Sequence, residues 1–179
     1  MYTGINEYVI EISQNASSLS LPKIKIIVKN QIRKKFICSW LNTKEKNSSG
    51  KLDSYVKLKN NFQCEEYLTL INNFEFRRGI TRLRISSHRL KIETGRYIGL
   101  ERDKRICEKC NLNVVENEIH FLIDCPFYKE KRTKLINVAK KHNINFDNLD
   151  SSQKYFWILT CENIEILLQL GNYLSTHLM

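Results

Sequence analysis

Cys107, Cys110, His120 and Cys125 fall within nineteen consecutive positions, in the order C-x2-C-x9-H-x4-C. Thiolate and imidazole are the preferred ligands of zinc, which takes four of them at the corners of a tetrahedron. A gap of two residues between cysteines suits that metal. The tight turn brings both sulfurs to one ion, with backbone amides pointing at them. The second pair comes from ENEIHFLIDCP, where Glu116 or Asn117 caps a short helix. That helix sets His120 and Cys125 a little over one turn apart, and Pro126 stops it and restarts the chain. Ile119, Phe121 and Leu122 supply a small core around the ligands. With all four corners occupied by protein, such a Cys3His site is structural rather than catalytic.

The other cysteines and histidines point to no chemistry. Cys38 and Cys161 sit on apolar helical faces and read as core, and Cys64 is isolated. His88, among basic neighbours, reads as a surface histidine within reach of phosphate. His142 and His177 carry no signal. Known catalytic patterns fail one by one. A zinc deaminase requires H-x-E ahead of P-C-x-x-C, and no H-x-E occurs. There is no G-x-x-x-x-G-K-[ST] and no G-x-G-x-x-G. Two-metal nucleotidyl transfer needs paired carboxylates, and the chain has neither a [YF]-x-D-D turn nor two adjacent aspartates. The chain is expected not to be an enzyme.

Charge is concentrated. The protein of 179 residues carries a formal net charge of +10. Between residues 77 and 110 stand Arg77, Arg78, Arg82, Arg84, Arg89, Lys91, Arg96, Arg102, Lys104, Arg105 and Lys109, against only Glu93, Glu101, Asp103 and Glu108. Such a field attracts polyanions, nucleic acid above all. The expected phosphate contacts are Arg82, Arg84, Arg89, Lys91, Arg96, Arg102, Lys104 and Arg105, with Glu93 paired to one of these arginines. RNA or DNA would be held through its phosphate backbone. The alternative is a zinc-stapled protein-interaction domain that docks on a polymerase or another acidic partner.

Helical elements must position these groups. Residues 22–42 place Ile24, Ile27, Val28, Ile32, Phe36 and Trp40 at steps of three and four, a helical stripe. Residues 43–50, TKEKNSSG, read as a linker, followed by a short helix or extended piece near Leu52–Phe62. FEFRRGITRLRIS forms a helix with its arginines opposite the apolar face and Gly79 as its weak point. SSHRLKIETGRY reads as irregular, with Gly95 and Gly99 as breakers. Pro126 opens a helix to about Lys141. A further helix starts at Asp150, Ser151 or Ser152 and runs through Thr160, and the last spans Glu162–Leu178. The expected fold is mainly α, a small helical domain with a Cys3His zinc knuckle in its middle. Residues 1–50 form a basic helical arm and linker, and residues 51–179 form the domain, with the zinc module at about 82–128.

No apolar run reaches the roughly 18 residues that cross a bilayer. The first twenty residues hold Glu7 and Glu11 and no Lys or Arg, unlike a secretory leader. Six cysteines in such a chain read as reduced thiols and metal ligands, which sets the expected compartment as cytoplasm or nucleus.

LRISSHRLKIETGRY followed by RICEKCNLNVVENEIHFLIDCPFY resembles the zinc-binding region downstream of the polymerase in non-LTR retrotransposon reverse transcriptases. The residues that carry the resemblance are Arg84, Ser87, His88, Leu90, Ile92, Glu93, Gly95, Arg96, Cys107, Cys110, Glu116, Glu118, His120, Phe121, Leu122, Cys125 and Pro126. It spans about residues 50–175 and is most specific from 82 to 128. The resemblance implies a zinc-stabilised module that helps an element's protein hold nucleic acid. It also implies a retroelement polymerase as partner and a stand-alone fragment without the polymerase itself.

Overall fold

A computed structural model describes residues 20–46, 53–59 and 63–178, with the side chains of residues 43–46 and 53 outside that description. The chain divides into two compact units, Met1–Ser48 and Ser49–Met179. In the first, α1 (Leu21–Lys46) is a single helix. It continues through residues 43–46, where a linker was expected, and the rest of that linker lies outside the described residues. Ile24, Ile27 and Trp40 of the apolar stripe are half-buried, but Val28, Ile32 and Phe36 are exposed. Cys38, expected in a core, is exposed as well.

The second unit is built from α2 (Asp53–Leu58), α3 (Tyr67–Leu70), α4 (Phe74–Arg84), α5 (Lys91–Tyr97), α6 (Thr133–His142), α7 (Ser151–Thr160) and α8 (Ile164–His177). The only extended pairing among the described residues is a single antiparallel bridge, Ile106 to Val115. No helix among them is long and apolar enough to cross a membrane.

Caps set the helix ends. Asn73 accepts from the Phe76 amide to open α4, and Asn163 accepts from Glu165 and Ile166 to open α8. Asp150, of the three candidates, opens α7 with a capping box to Gln153. The core forms where α4 crosses α8 and α6 packs alongside. Ile80 and Leu83 of α4 meet Ile166, Leu170 and Leu174 of α8, and Leu135 and Ala139 of α6 close the layer. Two glycines allow the crossing. A Cβ at Gly171 would stand 2.4 Å from Phe76 Cβ, and one at Gly79 would stand 3.0 Å from Leu174 Cβ. Gly79 is therefore a contact point of α4 rather than a weak one.

Three local expectations change. Residues 91–97 are helical, not irregular. Gly95 lies inside that helix because the Arg105 side chain packs over it, 2.7 Å from where a Cβ would be. Gly99, at φ +69°, is the stop. Its amide bonds Arg96 O, and the Leu100 amide bonds Gly95 O, the paired bonds of a Schellman ending. The helix expected from Pro126 is split into one 3₁₀ turn, Pro126–Tyr128, and α6 from Thr133. Between them Arg132 turns its guanidinium back to Cys125 O, at 2.7 Å. Lastly, Arg84 does not face away from the core. It is buried, and its guanidinium donates to Leu159 O and to Glu65 Oε2, both at 2.6 Å, with the Tyr67 ring beneath it. A buried guanidinium needs such partners; its two terminal nitrogens have them, while Nε has none.

Candidate metal centre and its basic surround

The first half of the site is a turn held by a short ladder. The Cys107 amide donates to Val114 O and the Glu116 amide to Arg105 O, each at 2.9 Å. These bonds flank the Ile106–Val115 bridge and force residues 108–113 into a tight loop, where Asn113 takes φ +53°. The loop carries Cys110 back towards Cys107. The Lys109 amide hydrogen-bonds the Cys107 sulfur, the arrangement that the two-residue spacing called for.

The second half is a helical turn of unusual width. Asn117, not Glu116, is the cap, and its side chain accepts the His120 amide at 2.8 Å. The turn then opens to a π-helix over His120–Asp124, in which the Cys125 amide bonds His120 O at 2.7 Å. A bond from residue i to i+5 stacks the fifth residue over the first. His120 and Cys125 are five apart, so this widening brings both to one face, where a regular α turn would splay them. Pro126 follows and has no amide to give to the next carbonyl. Phe121 O takes its bond from elsewhere: the Tyr173 hydroxyl, from α8, donates to it at 3.1 Å. Arg132 bonds both the Tyr173 oxygen and, through Nη1, Cys125 O.

The four ligand atoms converge. All lie within 4.8 Å of one another. Cys107 Sγ is 4.0 Å from Cys125 Sγ, and Cys110 Sγ is 3.4 Å from His120 Nε2. Cys107, Cys125 and His120 are buried and Cys110 is half-buried. None of the six cysteines is in a disulfide. Burial pushes the Cys107 thiol up to about 12, with Cys110, Cys125 and Glu116 adding to the effect and the Lys109 amide opposing it. Burial raises the Cys125 thiol too. It lowers His120, which favours the neutral imidazole that a metal needs. The raised Cys107 and Cys125 groups are stable as thiols, and a cation beside them would make them thiolates. The donor set and its spacing fit a closed, tetrahedral metal ion.

Two carboxylates brace the site, and spacing alone did not assign them this work. Glu116 accepts the Lys91 amide at 2.7 Å and lies 3.7 Å from the Cys107 sulfur. Glu118 accepts from the Ser86 hydroxyl at 2.8 Å and meets His88 Nε2 at 3.1 Å. Burial raises the Glu118 carboxyl, but His88, by hydrogen bond and charge, and then Ser86 pull it below its ordinary value. His88 is thus not on the surface, and its side chain is fully shielded. The acid–x–acid–x–His run from Glu116 to His120 was the one signal that marked these carboxylates in advance.

The eight expected phosphate contacts separate into two groups. Arg84 is buried, and Arg105 is half-buried with its guanidinium turned to backbone carbonyls. Arg105 donates twice to Leu100 O, at 2.9 and 2.7 Å, and once to Ile92 O at 2.8 Å. Carbonyls hold the Arg105 guanidinium, and a carbonyl and a carboxylate hold the two terminal nitrogens of Arg84, so both groups are engaged within the fold. Arg89 and Arg102 are exposed, and Arg82 is half-buried at the end of α4. Lys91 pairs with Glu108 at 2.6 Å, Lys104 with Glu101 at 2.7 Å, and Arg96 with Glu93 at 3.1 Å, as expected for Glu93. The exposed pairs are weak, and their cations stay accessible to a polyanion.

Comparison with family models, with curated proteins and with solved structures finds no match for the chain.

Proposed function

We propose that the protein is a non-catalytic, zinc-stabilised module that binds nucleic acid, of the kind found downstream of the polymerase in non-LTR retrotransposon reverse transcriptases. The convergence of Cys107, Cys110, His120 and Cys125 carries the reading. With zinc–sulfur bonds of about 2.3 Å and a zinc–nitrogen bond of about 2.05 Å, tetrahedral edges come to roughly 3.8 Å between sulfurs and roughly 3.6 Å between sulfur and nitrogen. The distances of 4.0 and 3.4 Å match these within about 0.2 Å. Four protein donors leave zinc no corner for water, which argues against hydrolytic chemistry. Around the knuckle, Arg102, Lys104 and Lys109 are exposed cations. They suit a strand held through its phosphates, whether RNA or DNA.

The test has two stages. The purified chain should contain one equivalent of zinc, and its melt should collapse on chelation because zinc affinity is folding energy in such sites. The logarithm of affinity for a labelled oligonucleotide should then fall steeply with the logarithm of salt. Neutralising Arg102, Lys104 and Lys109 together should reduce that slope by about 2–3. A metal-free chain with the same melt before and after chelator sinks the zinc reading. A shallow salt slope that the triple variant leaves unchanged favours an acidic protein partner instead.

A further inference from the structure

The four metal-ligating side chains are not equally enclosed. Cys107 is 3% exposed, His120 4% and Cys125 0%, whereas Cys110 is half-buried. The reason lies in the loop that carries it. Glu108 and Lys109 before Cys110, and residues 111–114 after it, are all exposed. Cys107 and Cys125 belong instead to the hydrophobic core, and Cys110 only packs against it. A reagent arriving from solvent therefore meets Cys110 first. The other two sulfurs lie within 4.8 Å of it.

Oxidation of a sulfur follows its thiolate character and its exposure. A cation bound in the centre supplies the first, because it holds its sulfurs as thiolates. Exposure then singles out Cys110, and a half-buried sulfur suits a reagent as small as hydrogen peroxide. We infer that Cys110 is an oxidation site through which a hydroperoxide opens the metal centre, by forming a disulfide between Cys110 and Cys107. The site rests on the zinc-bound centre proposed above. In the first step the Cys110 sulfur attacks one oxygen of hydrogen peroxide. The sulfur–oxygen bond forms, the oxygen–oxygen bond breaks, and hydroxide leaves, leaving Cys110 as a sulfenic acid. In the second, the Cys107 sulfur attacks Cys110 Sγ, the disulfide forms, and the sulfur–oxygen bond breaks to release a second hydroxide. Each hydroxide takes a proton from solvent, so two thiolates are oxidised to one disulfide and the peroxide is reduced to two waters. Cys107 is the partner because two residues separate it from Cys110, whereas fourteen separate Cys110 from Cys125. The shorter tether keeps it within reach once the loop moves. Closing the sulfurs to the roughly 2.05 Å of a disulfide displaces exposed residues 108–110 rather than the buried turn of His120 and Cys125. His120 and Cys125 are then the only donors left.

The test uses the metal-replete full chain carrying Cys38→Ser, Cys64→Ser and Cys161→Ser, which removes the thiols outside the centre. Melting and zinc content equal to the parent check that background. On titration with hydrogen peroxide, about one equivalent should release the zinc to a chromophoric chelator and lower the intact mass by two hydrogens. Peptide mapping should find Cys107 joined to Cys110, and a thiol reductant with added zinc should reverse the change. Cys110→His keeps four donors but has no sulfur at the exposed corner, so its metal loss in peroxide should be at least about tenfold slower. The mapping needs no change of a ligand and decides the matter even where that variant fails to fold. Peroxide that leaves zinc bound and every thiol reduced overturns the oxidation site while the zinc reading stands. Oxidation that leaves Cys110 out, or equally fast metal loss from a folded Cys110→His, overturns it too. A bond from Cys110 to Cys125 overturns Cys107 as the partner. A chain without zinc before peroxide is added overturns the zinc reading, and the oxidation site with it.

Discussion

Replacing Tyr173 by Phe removes one oxygen atom from the far side of the metal turn. That hydroxyl is the bond partner of Phe121 O, which Pro126 cannot serve, and it also meets Arg132. Tyr173 is buried, and its ring lies 5.3 Å from the Phe121 ring and 5.3 Å from the His177 ring, contacts that Phe retains. The loss is therefore almost wholly polar. Leaving a buried carbonyl unmatched costs about 1–3 kcal/mol. The variant is spared the desolvation of its own hydroxyl, so about 2 kcal/mol is the net expectation. For a helical unit of this size that lowers the melting temperature by roughly 5–10 °C. Because the turn holds His120 and Cys125, the same energy should appear as up to about thirtyfold weaker zinc retention in a chelator competition. Calorimetry of the zinc-loaded protein and a graded chelator titration measure the two quantities. A Tyr173→Phe protein that melts within about 1 °C of the parent and holds zinc equally well would refute the argument that α8 supplies the missing bond of this turn.

Two other perturbations probe the scaffold. Gly171→Ala gains about 1 kcal/mol in helix propensity but sets a methyl 2.4 Å from Phe76 Cβ and 3.1 Å from its Cα, which is backbone and cannot yield. Overpacking of this kind costs about 1–3 kcal/mol, so urea unfolding should show net destabilisation; a more stable variant would mean that α4 and α8 do not cross so closely. Acid acts through two windows. His177 lies below its ordinary 6.5, through burial and then Lys131, so the unfolded chain protonates first and stability falls as pH drops from there towards the folded value. Glu165, lowered by hydrogen bonds from His142 and Lys141, contributes stability above the ordinary 4.5 that is lost as pH falls through its folded value. Denaturant titrations at stepped pH should show the first slope flatten in His177→Phe and the second in Glu165→Gln, and parallel curves for variant and parent would contradict the assignment.

How much was legible beforehand follows from what each feature depends on. The Cys3His cluster that could hold a metal ion was legible because C-x2-C and H-x4-C are local spacings. So were α4, α7 and α8, whose apolar residues recur at helical steps behind capping Asn73, Asp150 and Asn163. Gly99 was read correctly as a stop, because positive φ is a property of one residue. Gly95 was not, since its reason is Arg105, ten positions on.

What only the tertiary structure decided involves partners distant in sequence. Charge type marked Arg84 and Arg105 as candidates for phosphate, yet Leu159 O engages the buried Arg84 and Ile92 O the half-buried Arg105. His88 read as a surface group among cations until Glu118, thirty residues away, was brought to its ring. Tyr173 reaches the metal turn across fifty-two positions. Residue order specifies which ligands, caps and apolar stripes exist, because these depend on covalent neighbours and one turn of helix. Which donor meets which acceptor depends on the faces that pack, because a buried polar group takes whatever partner the packing brings within about 3 Å.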